Sequence, residues 1–222
     1  MTDTKPPEVL RRPISARDTK WAAAVTRALA GSGLRPNHIS LLSVVFGGAA
    51  GFSFFCLRYA NSTGAKILLL LAAVACMQLR LLCNLFDGMV AIEGGFKTKS
   101  GEVYNELPDR FSDIFIFIGA GYALPAVAWM PELGWTAALL SVMTAYVRAF
   151  GGSAGARQYF CGPMAKQQRM AVMTVGCVAA IILLAVRSSF QILPLALAVV
   201  IVGCVVTTAR RTLLIIADLE SK

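Results

Sequence analysis

Three aspartates and two asparagines recur at helical spacing within thirty residues of this chain. Asn84 and Asp87 lie three positions apart, and Asn105, Asp109 and Asp113 lie four apart. At 3.6 residues per turn each set lines one face of a helix. The connection from Ile92 to Gly101 is short, so the two helices form an antiparallel pair whose faces meet, and three carboxylates and two amide oxygens converge on one point. Like charges at close range repel unless a cation neutralises them. The sequence shows too few basic partners for these acids, so a divalent ion is expected. Hard oxygen ligands without His or Cys select Mg²⁺, Mn²⁺ or Ca²⁺ over zinc. Glu93, Glu102 and Glu106 read instead as helix caps and surface acids.

The elements that must position these groups are membrane helices. The chain of 222 residues is 57% hydrophobic and 15% charged, with a mean hydropathy of +0.66; this is no soluble domain. Runs free of Asp, Glu, Lys and Arg cover 36–57, 67–79, 114–131, 133–147, 170–186 and 188–209. Six runs predict six transmembrane helices, the shorter ones crossing ~30 Å of hydrocarbon if a few charges are held inside the bundle. Ionisable groups at that depth are costly and mark function. From Ala16 to Leu34, Trp21, Val25, Ala28 and Leu29 alternate with Arg17, Lys20 and Arg27 in the pattern of an amphipathic helix lying along the headgroups. Residues 1–33 lack the apolar stretch of a cleavable signal and are expected to be mature sequence.

The net charge of +9 fixes an expected orientation. With the N-terminus cytoplasmic, fifteen Lys and Arg residues fall in inside segments and only Arg58, Lys66 and Arg187 outside. The positive-inside rule then puts both termini in the cytoplasm. Anionic headgroups suit these charges better than nucleic acid, since no basic stripe interleaved with aromatics is present. A single histidine, His38, and six cysteines without a Cys-x-x-Cys pair argue against zinc and against a histidine base; the cysteines read as packing residues. No nucleophile elbow, P-loop or dinucleotide fingerprint is present. No internal repeat signals a transporter. Gly162 and Pro163 form a turn before a helix start bearing Lys166 and Arg169, a natural phosphate site. Arg148 interrupts an apolar helical pattern and joins them as a candidate; Arg157 reads as a topology determinant.

The stretch from Asn84 to Asp109 resembles the signature of the CDP-alcohol phosphotransferase family, D-x2-D-G-x2-A-R, a spacer, then G-x3-D-x3-D. Here it reads N-x2-D-G-x2-A-I, then G-x3-N-x3-D from Gly101. Asp87, Gly88, Ala91, Gly101 and Asp109 match; Asn84 and Asn105 replace metal-binding aspartates, and Ile92 replaces an arginine. Arg35, Pro36, Asn37, His38, Ile39 and Ser40 resemble the family's P-N-x-[IL]-[ST] lead-in to the first membrane helix. The Asn pair followed by Ser112 and Asp113 is similar to a less characterised branch.

The resemblance implies an all-α membrane enzyme of phospholipid biosynthesis in the bacterial inner membrane: residues 1–33 with the interfacial helix, a six-helix domain over 34–217, and a tail over 218–222. It implies transfer of a phosphatidyl or similar phosphoryl group from CDP-diacylglycerol or another CDP-lipid to an alcohol, with release of CMP. Asp109 matches the position of the catalytic base. Asn84, Asp87, Gly88, Ala91 and Gly101 match the nucleotide site; the glycines let a nucleotide approach the backbone. Mg²⁺ or Mn²⁺ is expected at Asp87, Asp109, Asn84 and Asn105, with Asp113 supplying part of what the Asn replacements remove. Arg148, Lys166 and Arg169 suit a phosphorylated acceptor such as glycerol 3-phosphate or inositol phosphate, while serine or another small alcohol stays open. A homodimer is likewise implied. The alternative is a non-enzymatic membrane protein, a transporter or scaffold whose acids bind a cation, and CMP release separates the two.

Overall fold

The computed structural model describes residues 19–94, 101–186 and 191–222. The basic residues at 5–17, Lys97, Lys99 and Arg187 lie outside the described residues. Among the described residues, the regular secondary structure is all helical: α1 (Lys20–Gly31), α2 (Pro36–Cys56), α3 (Thr63–Glu93), α4 (Gly101–Gly121), α5 (Met130–Ser153), α6 (Lys166–Ala185) and α7 (Leu193–Glu220), with a 3₁₀ turn over Leu57–Tyr59.

Five of these helices, α2, α3, α5, α6 and α7, are long and apolar enough to cross a membrane. The outward positions of α2, α3 and α7, among them Val45, Phe52, Leu68 and Val202, are exposed and apolar, as lipid-facing helices require. The protein is an integral membrane protein. Helix α4 is 21 residues long, but Glu106, Asp109, Arg110 and Asp113 in its first two-thirds keep it out of that apolar set. Two of them, Asp109 and Asp113, carry the candidate chemistry.

The helices extend beyond the charge-free runs. α3 continues for 31 residues through Arg80 and Asp87, about 46 Å at 1.5 Å per residue, well beyond the ~30 Å of a hydrocarbon core. Its C-terminal turns, with Asn84, Asp87, Gly88 and Ala91, can therefore sit at the membrane boundary. There α1 packs on them. Trp21 meets Phe86 edge-on at 6.0 Å, and Ala22, Ile39, Cys83, Phe86 and Val90 form a small buried cluster. The amphipathic segment is thus helical over Lys20–Gly31, and it covers the end of α3.

Helix α4 is drawn deep into the bundle by small residues. A Cβ on Gly51 would lie 2.2 Å from the carbonyl oxygen of Phe115, and one on Gly119 would lie 2.1 Å from that of Gly51. Backbones this close tolerate only glycine, the close approach that small residues give membrane helices. Gly47 likewise leaves room for Ser112, whose hydroxyl donates to the carbonyl of Ser43 at 3.1 Å. Register between α2 and α4 is thereby set one residue before Asp113. Across the bundle, Met164, Met170, Met173, Cys177, Leu197, Val200 and Cys204 are buried in the main core. The six cysteines are free thiols, three of them buried.

Candidate functional site

The site is assembled from side chains of α2, α3, α4 and α6 at one end of the bundle. On α3, Arg80, Asn84 and Asp87 follow i, i+4, i+7 and share a face. Asp87 is 4% exposed, and its Oδ2 accepts a hydrogen bond from the hydroxyl of Ser40 at 2.7 Å. Ser40 stands in the first turns of α2, which Pro36 opens at a position where its missing N–H costs nothing. The Pro-Asn-x-Ile-Ser segment thus delivers a hydroxyl to the first carboxylate. Asn84 donates its Nδ2 to the carbonyl of Arg80 at 2.9 Å. Its Oδ1 is buried without a hydrogen-bond partner.

On α4, Asp109 is 4% exposed and Asp113 is fully buried. Lys166 Nζ, at the start of α6, lies 2.5 Å from Asp109 Oδ2. Arg80 reaches across from α3: its Nη2 donates to the main-chain carbonyl of Asp109 at 3.1 Å and lies 2.8 Å from Asp113 Oδ1. The Arg80 to Asp113 contact is close but poorly aligned, an ion pair more than a directed hydrogen bond. On the other side of Asp113, Arg169 Nη2 donates to Oδ2 at 2.6 Å. Arg169 also donates to Thr144 Oγ1 and to the carbonyl of Met164. Two buried guanidinium groups therefore bracket one buried carboxylate, and α3, α4, α5 and α6 are tied at that point.

The expectation that the acids lack cationic partners is corrected here. Asp109 has Lys166 and Asp113 has Arg80 and Arg169, because long basic side chains from α3 and α6 turn inward. Arg80, fully buried, is a residue that the sequence reading passed over. Its signal was present in its position one turn before Asn84 on the same face.

The remaining candidates fall around this centre. Gly88, Ala91 and Gly101 are half-buried, and Asn105 is exposed on the turn preceding Asp109. Arg148 pairs with Glu106 at 2.6 Å and its guanidinium covers the ring of Phe160 at 4.7 Å, so it lies one turn of α4 away from Asp109. Glu106, read from sequence as a surface acid, is its anchor. Arg110 flanks both Glu106 and Asp109 at 3.7 Å. The Gly162 turn, at φ +119°, presses on Thr207, whose Oγ1 accepts from the backbone N–H of Met164. This fixes the loop that delivers Lys166.

Could these residues hold a divalent ion? Among the described residues no three His, Cys, Asp or Glu side chains stand close enough to cage one unaided. The oxygen donors are nevertheless of the right kind. Asn84 Oδ1 and Asp109 Oδ1 are buried without a hydrogen-bond partner, although Arg80 Nη2 stands 3.5 Å from Asp109 Oδ1, and Asp87 adds a third hard oxygen source. Mg²⁺ and Mn²⁺ commonly use one or two carboxylates with the rest of the shell supplied by water and substrate phosphates. The donor set fits such an ion.

No family model matches this sequence, and no curated protein resembles it in sequence. The fold does match solved structures of phosphatidylinositol phosphate synthase from Mycobacterium tuberculosis. With the form crystallised with CDP-DAG bound, the TM-score is 0.71 over 89% of this chain and 94% of that one, at 19% identity. With the form in complex with manganese and citrate it is 0.68 over 87% and 88%, at 19% identity. The apo form gives 0.70 over 89% and 97%, also at 19% identity. Likeness at this identity establishes a shared fold; chemistry has to be argued from the site.

Proposed function

We propose that this chain transfers a substituted phosphoryl group from a CDP-linked lipid such as CDP-diacylglycerol to an alcohol, releasing CMP. The observation that carries the reading is the burial of Asp87 on α3 and of Asp109 on α4, in the fold of a synthase crystallised with CDP-DAG. Buried carboxylates in a membrane protein are expensive to keep; Asn84 Oδ1, buried without a hydrogen-bond partner, and Asp109 Oδ1, whose cation Arg80 stands off at 3.5 Å, are oxygens that a bound cation would satisfy.

In this reading the alcohol oxygen attacks the phosphorus that bears the lipid, and the bond from that phosphorus to the CMP oxygen breaks. Asp109 receives the hydroxyl proton as general base. Asp87, oriented by Ser40, and Asn84 Oδ1 hold a divalent ion with Asp109. When bound, Mg²⁺ or Mn²⁺ supplies charge neutralisation to the diphosphate and to the departing CMP. Gly88, Ala91 and Gly101 leave the helix surfaces open to the nucleotide. Lys166 is placed to meet phosphate oxygens; Arg148, held by Glu106, offers a second cation for a phosphorylated acceptor. Asp113 is assigned here to bracing, because both of its oxygens face guanidinium groups. Arg169 belongs to that brace more than to a phosphate site.

The same reading takes α4 as a sixth span, with both termini and the site on the cytoplasmic side as the distribution of Lys and Arg implies, and a homodimer as the assembly. The test is release of CMP from CDP-diacylglycerol by the purified chain in liposomes with candidate alcohols. Release is expected with Mg²⁺ or Mn²⁺ and is expected to stop with EDTA. Full release in chelator would overturn the assigned roles. No release with any acceptor would favour a non-enzymatic cation-binding protein.

A further inference from the structure

The inner site carries no excess negative charge without a metal. Asp109 and Asp113 pair with Arg80, Lys166 and Arg169, and Arg110 stands 3.7 Å from Asp109; with buried Asp87 that makes three carboxylates against four cations, one of which, Arg110, also pairs with Glu106. Two of those cations are fixed. Arg80 is fully buried and Arg169 is 1% exposed, and both clamp Asp113. Lys166 differs in every respect. Its ammonium rides on a flexible four-carbon stem at the first residue of α6, its side chain is 23% exposed, and its anion is Asp109, the carboxylate that the reaction needs. While Lys166 sits 2.5 Å from Oδ2, that oxygen is closed to a metal and to a hydroxyl proton.

We propose that Lys166 is a resident counter-ion that a divalent cation displaces from Asp109, and that the displaced ammonium pairs with the nucleotide diphosphate, so that metal and nucleotide bind cooperatively and each only weakly alone. This rests on the reading given under Proposed function. The charge count supports it. A divalent ion entering a site with no excess negative charge leaves it at +2 or more, which is unfavourable at low dielectric. A diphosphate diester carries two negative charges and offsets those of the ion. Aspartate at 84 and 105 would add two negative charges and neutralise the ion before any nucleotide arrived; asparagine at both positions removes that option. The coordination count agrees. Asn84 Oδ1, Asp87 and Asp109 leave an octahedral shell unfilled, and phosphate oxygens complete it. Energetic coupling of this kind is reciprocal, so each ligand strengthens the other by the same factor.

The test uses the full chain in detergent micelles, with Mn²⁺ binding followed by electron paramagnetic resonance and CDP binding by calorimetry. Wild type is expected to bind Mn²⁺ at least about tenfold more tightly with CDP present than without it. Lys166→Met is expected to tighten binding of Mn²⁺ alone by about tenfold and to weaken CDP, shrinking the coupling. Asn84→Asp, which leaves Lys166 in place, is expected to tighten Mn²⁺ alone through added charge, and so checks the electrostatic premise independently. Equal Mn²⁺ affinity with and without CDP in wild type overturns the proposal while leaving the metal-dependent reading intact. So does an unchanged Mn²⁺ affinity in Lys166→Met when Asn84→Asp has tightened it. Absence of Mn²⁺ binding by wild type in either condition overturns the metal-dependent reading, and this proposal with it.

Discussion

Replacing Asp109 by asparagine is expected to lower CMP release by ~10²–10⁴-fold, the contribution of a positioned general base, while CDP binding stays measurable. The substitution is isosteric. It keeps the main-chain carbonyl that Arg80 holds at 3.1 Å; of the cations that it strands, Lys166 and Arg110 are partly exposed and can turn to water, while Arg80 keeps Asp113. The fold should therefore survive, and the loss should appear in turnover. Near-normal turnover in Asp109→Asn would remove the residue from the role of base. Loss of monodisperse protein would show that the ion pair with Lys166 is structural.

Asp113→Asn is expected to fail in the opposite way. Arg80 and Arg169 are almost entirely buried, and the carboxylate between them is the anion that both contact. Removing one member of a buried ionic group leaves uncompensated charge and costs ~3–5 kcal/mol, much of the margin of a typical domain. The variant should show a lowered Tm and poor recovery from detergent, and raised Mg²⁺ should not restore its activity. Rescue by raised Mg²⁺ without a change in Tm would return Asp113 to the metal shell, where its spacing from Asp109 first placed it. The contrast between the two variants separates a group that does chemistry from one that holds the bundle together, although they stand one helical turn apart.

The two aspartates look alike in the sequence, and the reason they part in the structure lies outside their own helix. Spacing along α4 shows that Asn105, Asp109 and Asp113 share a face. It does not show what that face meets. The partners come from Arg80, 29 and 33 residues upstream, and from Lys166 and Arg169, 57 and 56 residues downstream. No local pattern records such pairings. Arg80 was legible as a charge in an apolar run and as the residue one turn before Asn84, but not as a group turned inward rather than toward headgroups. The existence of the helices was readable from the charge-free runs, but not their ends: α3, α4, α5 and α7 continue through charged residues. In α3 and α4 they do so because the carboxylates and cations satisfy one another inside the bundle. Ser40 was hidden differently: its motif marked the start of α2, and only the packing of α2 on α3 shows that its hydroxyl meets Asp87. Gly51 and Gly119 carry no sequence signal that sets them apart from other glycines in the apolar runs; their use shows in the backbone contact that they permit.

The central claim, transfer of the lipid-bearing phosphorus through a site at Asp87 and Asp109, is tested most directly by following that phosphorus. CDP-diacylglycerol labelled at the phosphate attached to diacylglycerol is supplied to the purified chain in liposomes with Mn²⁺ and a panel of alcohols, phosphorylated and not. The account predicts that the label moves into a new phospholipid whose head group is the acceptor, that the CMP formed is unlabelled, and that Asp87→Asn and Asp109→Asn form neither product. Label recovered in a released nucleotide, or the same lipid product from both variants, would contradict it.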